Sequence, residues 1–109
     1  MYIPDRGDIV FVDFDPSAGK EIAKRRPAII LTRKIFNKHT TLVFAAPITS
    51  TIRGIGLEIL LPSSMQTNGA ILVSQIKSLD YEIRSIDFVE KAPQAVIDEV
   101  MKKLNLVLS

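Results

Sequence analysis

The residues of this sequence best suited to chemistry form a short basic segment directly before an apolar run. Residues 19–31 read GKEIAKRRPAIIL, in which one carboxylate, Glu21, lies among the basic residues Lys20, Lys24, Arg25 and Arg26. From Lys20 to Lys38 there are seven basic residues, and Glu21 is the one acid among them. Such an excess attracts a polyanion, although a solvated basic face explains the same pattern about equally well.

Charge is also divided unevenly along the chain. The formal net charge is +2; residues 1–54 carry nine Lys/Arg and five Asp/Glu, a balance of +4, and residues 55–109 carry five and seven, a balance of −2. The basic segment lies in the positive half, which favours a negatively charged partner.

Other reactive residue types are scarce. The sequence has no cysteine, which excludes zinc–thiolate, iron–sulfur and thiol chemistry, and one histidine, His39, which we expect in a surface loop. Asp13 and Asp15 project to the same side of an extended strand, and with Asp8 or Asp5 they could hold Mg²⁺. Because Asp15 precedes a proline and equally suits a turn, no metal site and no cofactor are predicted.

Short strands are the elements predicted to position these residues. Runs rich in β-branched and aromatic residues, bounded by turn signals, indicate them. We expect strands over Asp8–Phe14, Pro27–Thr32, Thr41–Ala46, Leu57–Leu61, Ala70–Leu79 and Asp87–Lys91. Gly54 and Gly56 mark a turn before the fourth strand, and Ile35–Lys38 and Asp80–Arg84 are long enough only for single helical turns.

One longer helix is predicted at the C-terminus. Pro93 suits a first helical position, and apolar residues then recur every three or four positions: Val96, Ile97, Val100, Met101 and Leu104. Charged residues lie on the opposite face, so one apolar face should pack on a sheet. The sequence therefore predicts a mainly β protein, a small and partly open antiparallel barrel with a C-terminal helix.

Length and hydropathy limit the organisation of the chain. A chain of 109 residues is expected to form one domain, residues 1–109. Its apolar runs are far shorter than the ~18 residues of a membrane helix, and the N-terminal MYIPDRGD lacks the features of a signal peptide. We therefore expect a cytoplasmic protein that does not associate with membranes.

The basic segment lies in a long connection between two predicted strands. Asp15–Arg25 spans eleven residues, whereas hairpin loops usually have about two to five. Long loops in compact domains are often functional. Arg26 is expected where this loop meets the sheet, with its side chain leaving the strand toward solvent.

An ordered set of motifs resembles the MazF/PemK (Kid) family of bacterial toxins. The set comprises Gly7-Asp8-Ile9-Val10, Asp13-Phe14-Asp15-Pro16, Gly19, Glu21, Arg26-Pro27-Ala28, Pro47-Ile48-Thr49 and Gln75-Ile76-Lys77-Ser78. Each piece is common alone, but together they run nearly end to end. The resemblance implies an SH3-like barrel that forms a homodimer and a sequence-specific endoribonuclease that cuts single-stranded mRNA without a metal. It also implies a MazE-like antitoxin whose acidic tail blocks the RNA groove.

The resemblance implies that Arg26 and Thr49 are catalytic. Cutting RNA through its own 2′-hydroxyl requires a base for that proton, stabilisation of a phosphorane dianion and a proton for the departing 5′-oxygen. One histidine cannot provide a two-histidine mechanism within a subunit. A guanidinium stays protonated, so Arg26 suits electrostatic stabilisation, with an ion pair to Asp8 or Asp13 as the structural alternative. Thr49 could donate a hydrogen bond to the phosphorane or cap a turn.

The remaining site residues also follow from the resemblance. Glu21 matches a glutamate of many relatives and should be ionised among its basic neighbours, which suits it equally to act as a base or to organise the loop. Some relatives carry an acid where this chain has Ser74, which cannot act as a general base. RNA contacts are expected from Lys20, Lys24, Arg25, Ser50, Arg53, Gln75 and Lys77, although Lys77 could also be a solvated strand residue.

Two other classes of function stay open. The same kind of barrel occurs in CcdB-like toxins, which bind DNA gyrase and cut nothing, and in small peptide-binding adaptor modules. The combination of Arg26, Thr49 and the basic loop favours RNA cleavage, because gyrase binding needs no cluster that clasps phosphate.

Overall fold

Antiparallel strands joined mostly by short connections make up most of the computed structural model, which describes residues 1–54 and 57–109. The predicted turn residue Gly56 lies outside these ranges. Within them the elements follow in the order β1 (Asp8–Asp13), β2 (Arg25–Ile30), α1 (Lys34–Thr40), β3 (Leu42–Thr49), β4 (Glu58–Leu60), β5 (Ala70–Leu72), a 3₁₀ turn (Val73–Gln75), β6 (Lys77–Asp80), β7 (Asp87–Lys91) and α2 (Gln94–Leu108).

The strands pair in the order β4-β5-β3-β2-β1-β7, and β6 also pairs with β3. All pairings are antiparallel, and β3 uses its first half for β6 and its last two residues for β5. This divided pairing bends the sheet without closing it, since β4 and β7 stay at its two ends. The predicted mainly β fold with a partly open sheet and a C-terminal helix is confirmed.

Alternation along the strands divides the core between the two faces of the sheet. Ile9, Ile29 and Ile48 pack with α2 on one face, and Val10, Val12 and Ala28 lie in a second apolar cluster on the other. Successive strand residues point to opposite faces, so both faces of β1 and β2 are apolar because both are covered.

Two predicted strands differ from the observed ones near the site. The predicted strand Ala70–Leu79 is wrong as one element, because the 3₁₀ turn Val73–Gln75 separates β5 from β6. The two short strands contact opposite ends of β3, so the chain must change direction between them. Strand β3 itself runs on to Thr49 rather than ending at Ala46, with Pro47 paired to Ala28.

Strand β2 begins at Arg25, two residues earlier than predicted. Pro27 lies inside it, opposite Phe11 of β1, whereas the recorded pairing with β3 begins only at Ala28. A residue without an N–H is tolerated there because this part of β2 is an edge on its β3 side.

The helices also refine the predictions. A loop around His39 is wrong: α1 spans Lys34–Thr40, and His39 is exposed in its last turn. The buried Asn37 amide fixes this helix by donating to Pro4 O at 2.8 Å and to Thr32 O at 3.1 Å. The predicted α2 is confirmed, although Pro93 lies at its N-cap rather than inside its first turn. In the ranges described, neither helix is long and apolar enough to cross a membrane.

Candidate active site

The connection between β1 and β2, residues 14–24, forms one wall of the site; we call it the basic loop. It is closed at its base by a hydrogen bond from Phe14 N to Lys24 O of 3.0 Å. Lys24 adopts a φ of 69° to make this closure. Within the loop, Glu21 Oε1 accepts a hydrogen bond from Ala18 N at 3.0 Å, so this carboxylate organises the turn that carries it.

Side chains from the segment after β5 hold the basic loop by its backbone. Gln75 Oε1 accepts from Ile22 N at 3.1 Å, and its Nε2 donates to Lys20 O at 3.0 Å. Lys77 Nζ donates to Phe14 O at 3.1 Å and to Pro16 O at 2.9 Å. The loop is therefore fixed near both of its ends by side chains that lie outside it.

A pocket of about 280 Å³ lies between the basic loop, the end of β3 and the 3₁₀ turn. It is lined by Lys20, Glu21, Ile22, Ala23, Thr49, Thr51, Arg53, Glu58, Leu72, Ser74 and Gln75. Opposite charges therefore face each other in a small space. A phosphodiester entering it would meet the cations Lys20 and Arg53, with a carboxylate close by to accept a proton.

Thr49 is the most buried polar residue of the pocket, with 8% of its surface exposed. Its Oγ1 accepts a hydrogen bond from Thr51 N at 3.1 Å, which leaves the hydroxyl hydrogen to point at a ligand. Both predicted roles of Thr49, turn cap and donor, are therefore compatible. Gly69 supports it from behind, since a Cβ on this residue would lie 2.2 Å from Thr49 O.

Arg26 lies at the edge of the pocket rather than among the residues that line it. It is half-buried, and its Nε donates to Ala23 O at 2.9 Å, on the pocket wall. The recorded pairing of β2 with β3 ends at Ala28 opposite Pro47, and Arg26 and Thr49 each lie two residues beyond it.

The alternative ion pair of Arg26 with Asp8 or Asp13 is not formed among the described residues. Asp8 instead accepts from Tyr2 Oη at 2.6 Å and pairs with Lys91 at 3.2 Å. Asp13 accepts from Asp15 N at 2.9 Å. Desolvation, and then the hydrogen bond to Asp8, raise the pKa of Tyr2 well above its usual range.

The structure separates Arg25 from this site. Neighbouring strand residues point to opposite faces, and Arg25 forms an ion pair with Asp87 and donates to Ser85 O at 2.8 Å. It lines a different depression, together with Asp13 and Asp15. Of the other predicted RNA contacts, Lys24 and Ser50 are exposed outside the pocket, beside the pocket residues Ala23 and Thr49.

Six residues at the site were not singled out from the sequence. Five of them line the pocket: Ile22, Ala23, Thr51, Glu58 and Leu72. The sixth, Arg84, donates to Asp13 O at 2.8 Å and Asp15 O at 2.6 Å, which fixes the start of the basic loop. No sequence signal marks Arg84, because it lies in a polar turn far along the chain from its partners.

The carboxylates of the sequence do not gather as metal ligands in the part of the chain that is described. No group of three or more His, Asp or Glu side chains there is arranged to hold a metal ion. The pair Asp13 and Asp15 is linked instead by the Asp15 N–H donating to the Asp13 carboxylate. The independence from metals stays a prediction.

Comparison with known proteins gives one family. Residues 5–108 match the family of PemK-like, MazF-like toxins of type II toxin–antitoxin systems. The endoribonuclease toxin MazF of Escherichia coli K12 is 31% identical over 107 residues, which cover 98% of this chain and 96% of that protein. The endoribonuclease PemK of Escherichia coli is 31% identical over 109 residues, covering 96% and 82%.

Solved structures with the same fold come from Deinococcus radiodurans. Its MazF aligns with a TM-score of 0.95 and 37% identity, covering 99% of this chain and 98% of that one. A chain of its MazE–MazF complex aligns with a TM-score of 0.87 and 33% identity, covering 100% and 98%.

Proposed function

We propose that this chain, a member of the family of PemK-like, MazF-like toxins of type II toxin–antitoxin systems, is an endoribonuclease. Its active site is the pocket beside the basic loop. The substrate is single-stranded RNA, above all mRNA. The named relatives are endoribonucleases, which favours this function over gyrase binding or an adaptor role.

The observation that carries the proposal is the meeting of Glu21 and Thr49 in one pocket with Lys20 and Arg53. Glu21 lies in the basic loop and Thr49 at the end of β3, 28 positions later in the sequence. With Arg26 at the edge, the pocket combines a proton acceptor, a hydroxyl donor and cations. Those are the groups that transfer of a phosphoryl group between RNA oxygens requires.

The nucleophile in the proposed reaction is the 2′-hydroxyl next to the scissile phosphate. It attacks the phosphorus and gives its proton to a base, for which Glu21 is the carboxylate on the loop. Arg26 stabilises the negative charge that grows on the phosphorane oxygens, and Thr49 donates a hydrogen bond to it. The bond to the 5′-oxygen then breaks, which leaves a 2′,3′-cyclic phosphate and a 5′-hydroxyl.

RNA binding is assigned to charged and polar side chains that form no ion pair or side-chain hydrogen bond with other residues in the described ranges. Lys20 and Arg53 line the pocket, and Lys24 and Ser50 extend the surface beside it. Arg25 can contribute only after its ion pair with Asp87 opens. The polar atoms of Gln75 and Lys77 are bound to the loop backbone, and their role is argued separately below.

Partners follow from the family. The solved MazE–MazF complexes pair such a toxin with its antitoxin, so we expect a MazE-like antitoxin whose acidic tail covers the basic pocket of this chain. We also propose that the active protein is a homodimer in the cytoplasm, where its mRNA substrate is found.

A cleavage assay with a long single-stranded RNA tests the proposal. We expect cuts that persist in excess EDTA and ends that carry a 2′,3′-cyclic phosphate and a 5′-hydroxyl. A substrate with one 2′-deoxy nucleotide directly 5′ of the cut should bind almost as tightly and stay intact, because only the nucleophile is missing. Loss of cutting in EDTA, or cutting of the 2′-deoxy substrate, would contradict this mechanism. It would instead favour a metal-dependent reaction in which Asp13 and Asp15 help to hold Mg²⁺.

A further inference from the structure

Gln75 makes two hydrogen bonds that connect distant parts of the chain. Its amide bonds Ile22 N and Lys20 O, which are 53 and 55 positions away in sequence. These two backbone groups flank Glu21. One side-chain amide therefore fixes the peptide units on both sides of the carboxylate that the pocket presents.

Lys77 acts on the other end of the same loop. Its ammonium group donates to Phe14 O and Pro16 O, 63 and 61 positions away. It lies two residues after Gln75, at the start of β6 and opposite Ala45 of β3. The strand pairing thus gives Lys77 a rigid base from which to hold the loop, and Gln75 lies two residues before it, at the end of the 3₁₀ turn.

Both residues contact only the backbone of the loop in these bonds. The loop side chains Lys20, Glu21 and Lys24 are exposed, and Gln75 supplies the side-chain hydrogen bonds to the backbone groups on either side of Glu21. A catalytic group must stay within about 0.5 Å of its working position to be effective. A loop of eleven residues does not provide that precision by itself.

We propose that Gln75 and Lys77 are positioning residues that hold the basic loop in the conformation that presents Glu21 to the pocket. Their effect on catalysis rests on the proposed endoribonuclease activity, whereas their effect on the loop does not. The competing role is the direct contact with RNA predicted from the sequence.

Hydrogen exchange of single amides in the free protein tests the effect on the loop. Gln75→Met removes both hydrogen bonds at similar size, and we expect the Ile22 amide to exchange about fivefold faster or more. Gln75→Glu keeps an oxygen for Ile22 N and should restore most of that protection. Lys77→Met removes the bonds to Phe14 O and Pro16 O, and it should speed exchange of the Phe14 amide, because that N–H closes the loop by donating to Lys24 O. Gln66→Met and Lys102→Met change exposed residues elsewhere and should leave both amides unchanged.

Cleavage kinetics then separate positioning from base recognition. If the loop is only held less firmly, kcat of Gln75→Met should fall about tenfold on every RNA, with little change in KM and none in sequence preference. A residue that reads a base would instead change which sequences are cut and leave exchange at Ile22 as in the wild type.

Unchanged exchange at Ile22 in Gln75→Met, or an altered cutting preference without faster exchange, would overturn the proposal. If the Ile22 amide exchanges faster in Gln75→Met but the wild-type protein cuts no RNA, the role of Gln75 in holding the loop would be supported. Only the proposed function would then be rejected. The two inferences can therefore fail separately.

Discussion

The basic loop, residues 14–24, and the turn at residues 61–69 after β4 are both held through their backbone by side chains from elsewhere in the chain, but they differ in where their own polar side chains lie. The turn buries two of its own side chains, since Met65 is 7% and Thr67 8% exposed. The basic loop keeps its charged side chains in solvent and is held through its backbone by residues 75, 77 and 84. A loop held from outside leaves its side chains for a substrate, which is what an active-site loop requires.

The largest effect is expected from removing the charge at the edge of the pocket. Arg26→Ala should lower kcat/KM for RNA cleavage by about a hundredfold or more, because one preorganised donor to the developing charge is lost. The hydrogen bond to Ala23 O lies near the surface, so the midpoint of thermal unfolding should change little.

Arg33→Ala is the matched control, since Arg33 is exposed at the opposite end of β2. Cleavage by this control should stay near that of the wild type. Normal cleavage by Arg26→Ala would show that Arg26 is a structural residue. Lys20 and Arg53 would then be the candidates for stabilising the negative charge of the phosphorane.

The next largest effect is expected on stability, when one glycine of the basic loop or one glycine of the turn is replaced by alanine. Gly19 in the basic loop has φ of +57° with open space around it, and Gly69 in the turn has φ of +121° with Thr49 O at 2.2 Å from a built Cβ. Gly69→Ala should lower the free energy of unfolding by about 2–4 kcal/mol, since the backbone of the pocket must shift. Gly19→Ala should cost about 1 kcal/mol for its left-handed conformation alone.

Chemical denaturation of both variants measures this contrast. Equal losses at the two glycines would mean that the turn is as open as the loop, contrary to the packing described.

The contrast also shows what the sequence can and cannot reveal. Alternating apolar residues predicted β1 and the interior of β2 because both faces of those strands are buried, and that pattern is local. The contacts of Gln75 and Lys77 join residues more than 50 positions apart, so no local pattern contains them. The break in Ala70–Leu79 was missed for the same reason, because it depends on how β3 divides its pairing between two strands.

The basic cluster illustrates the limit within a single segment. Arg25 and Arg26 are adjacent in sequence and were predicted to share one site. Because neighbouring strand residues point to opposite faces, Arg25 pairs with Asp87, whereas Arg26 donates to Ala23 O on the pocket wall. Residue types indicated the chemistry, but only the observed start of β2 at Arg25 decides which of the two arginines can take part in it.

A smaller effect is expected from Glu90, which fixes the turn as Gln75 fixes the loop. Its carboxylate accepts from Gln66 N at 3.2 Å and from Thr67 N and Thr67 Oγ1 at 2.7 Å. Burial raises the pKa of Glu90, but these hydrogen bonds outweigh it and leave the pKa below the ordinary 4.5. Glu90→Gln should therefore cost about 1–3 kcal/mol of unfolding free energy at pH 7.

The pH dependence of that loss follows from the direction of the shift. A lowered carboxyl pKa adds stability above the unfolded value, and this contribution disappears as the pH falls below about 4.5 toward the folded value. The difference between wild type and Glu90→Gln should shrink on acidification over this range. Glu82→Gln, at an exposed position, is the control. A difference that stays constant down to pH 3 would show that the Glu90 charge is not what holds the turn.

The smallest effect concerns single charges on the basic loop and tests directly whether they are free for RNA. Lys20 lines the pocket and its side chain is exposed, so Lys20→Gln should weaken RNA binding several-fold and leave the unfolding midpoint unchanged. Because each phosphate contact to single-stranded RNA releases about 0.7 of a counterion, the slope of log affinity against log salt should fall by about 0.7. Lys102→Gln on the exposed side of α2 should keep the wild-type slope. A loss of stability in Lys20→Gln with an unchanged salt slope would mean that the loop, like the turn, uses its own side chain to hold its shape, and the contrast between the two regions would not hold.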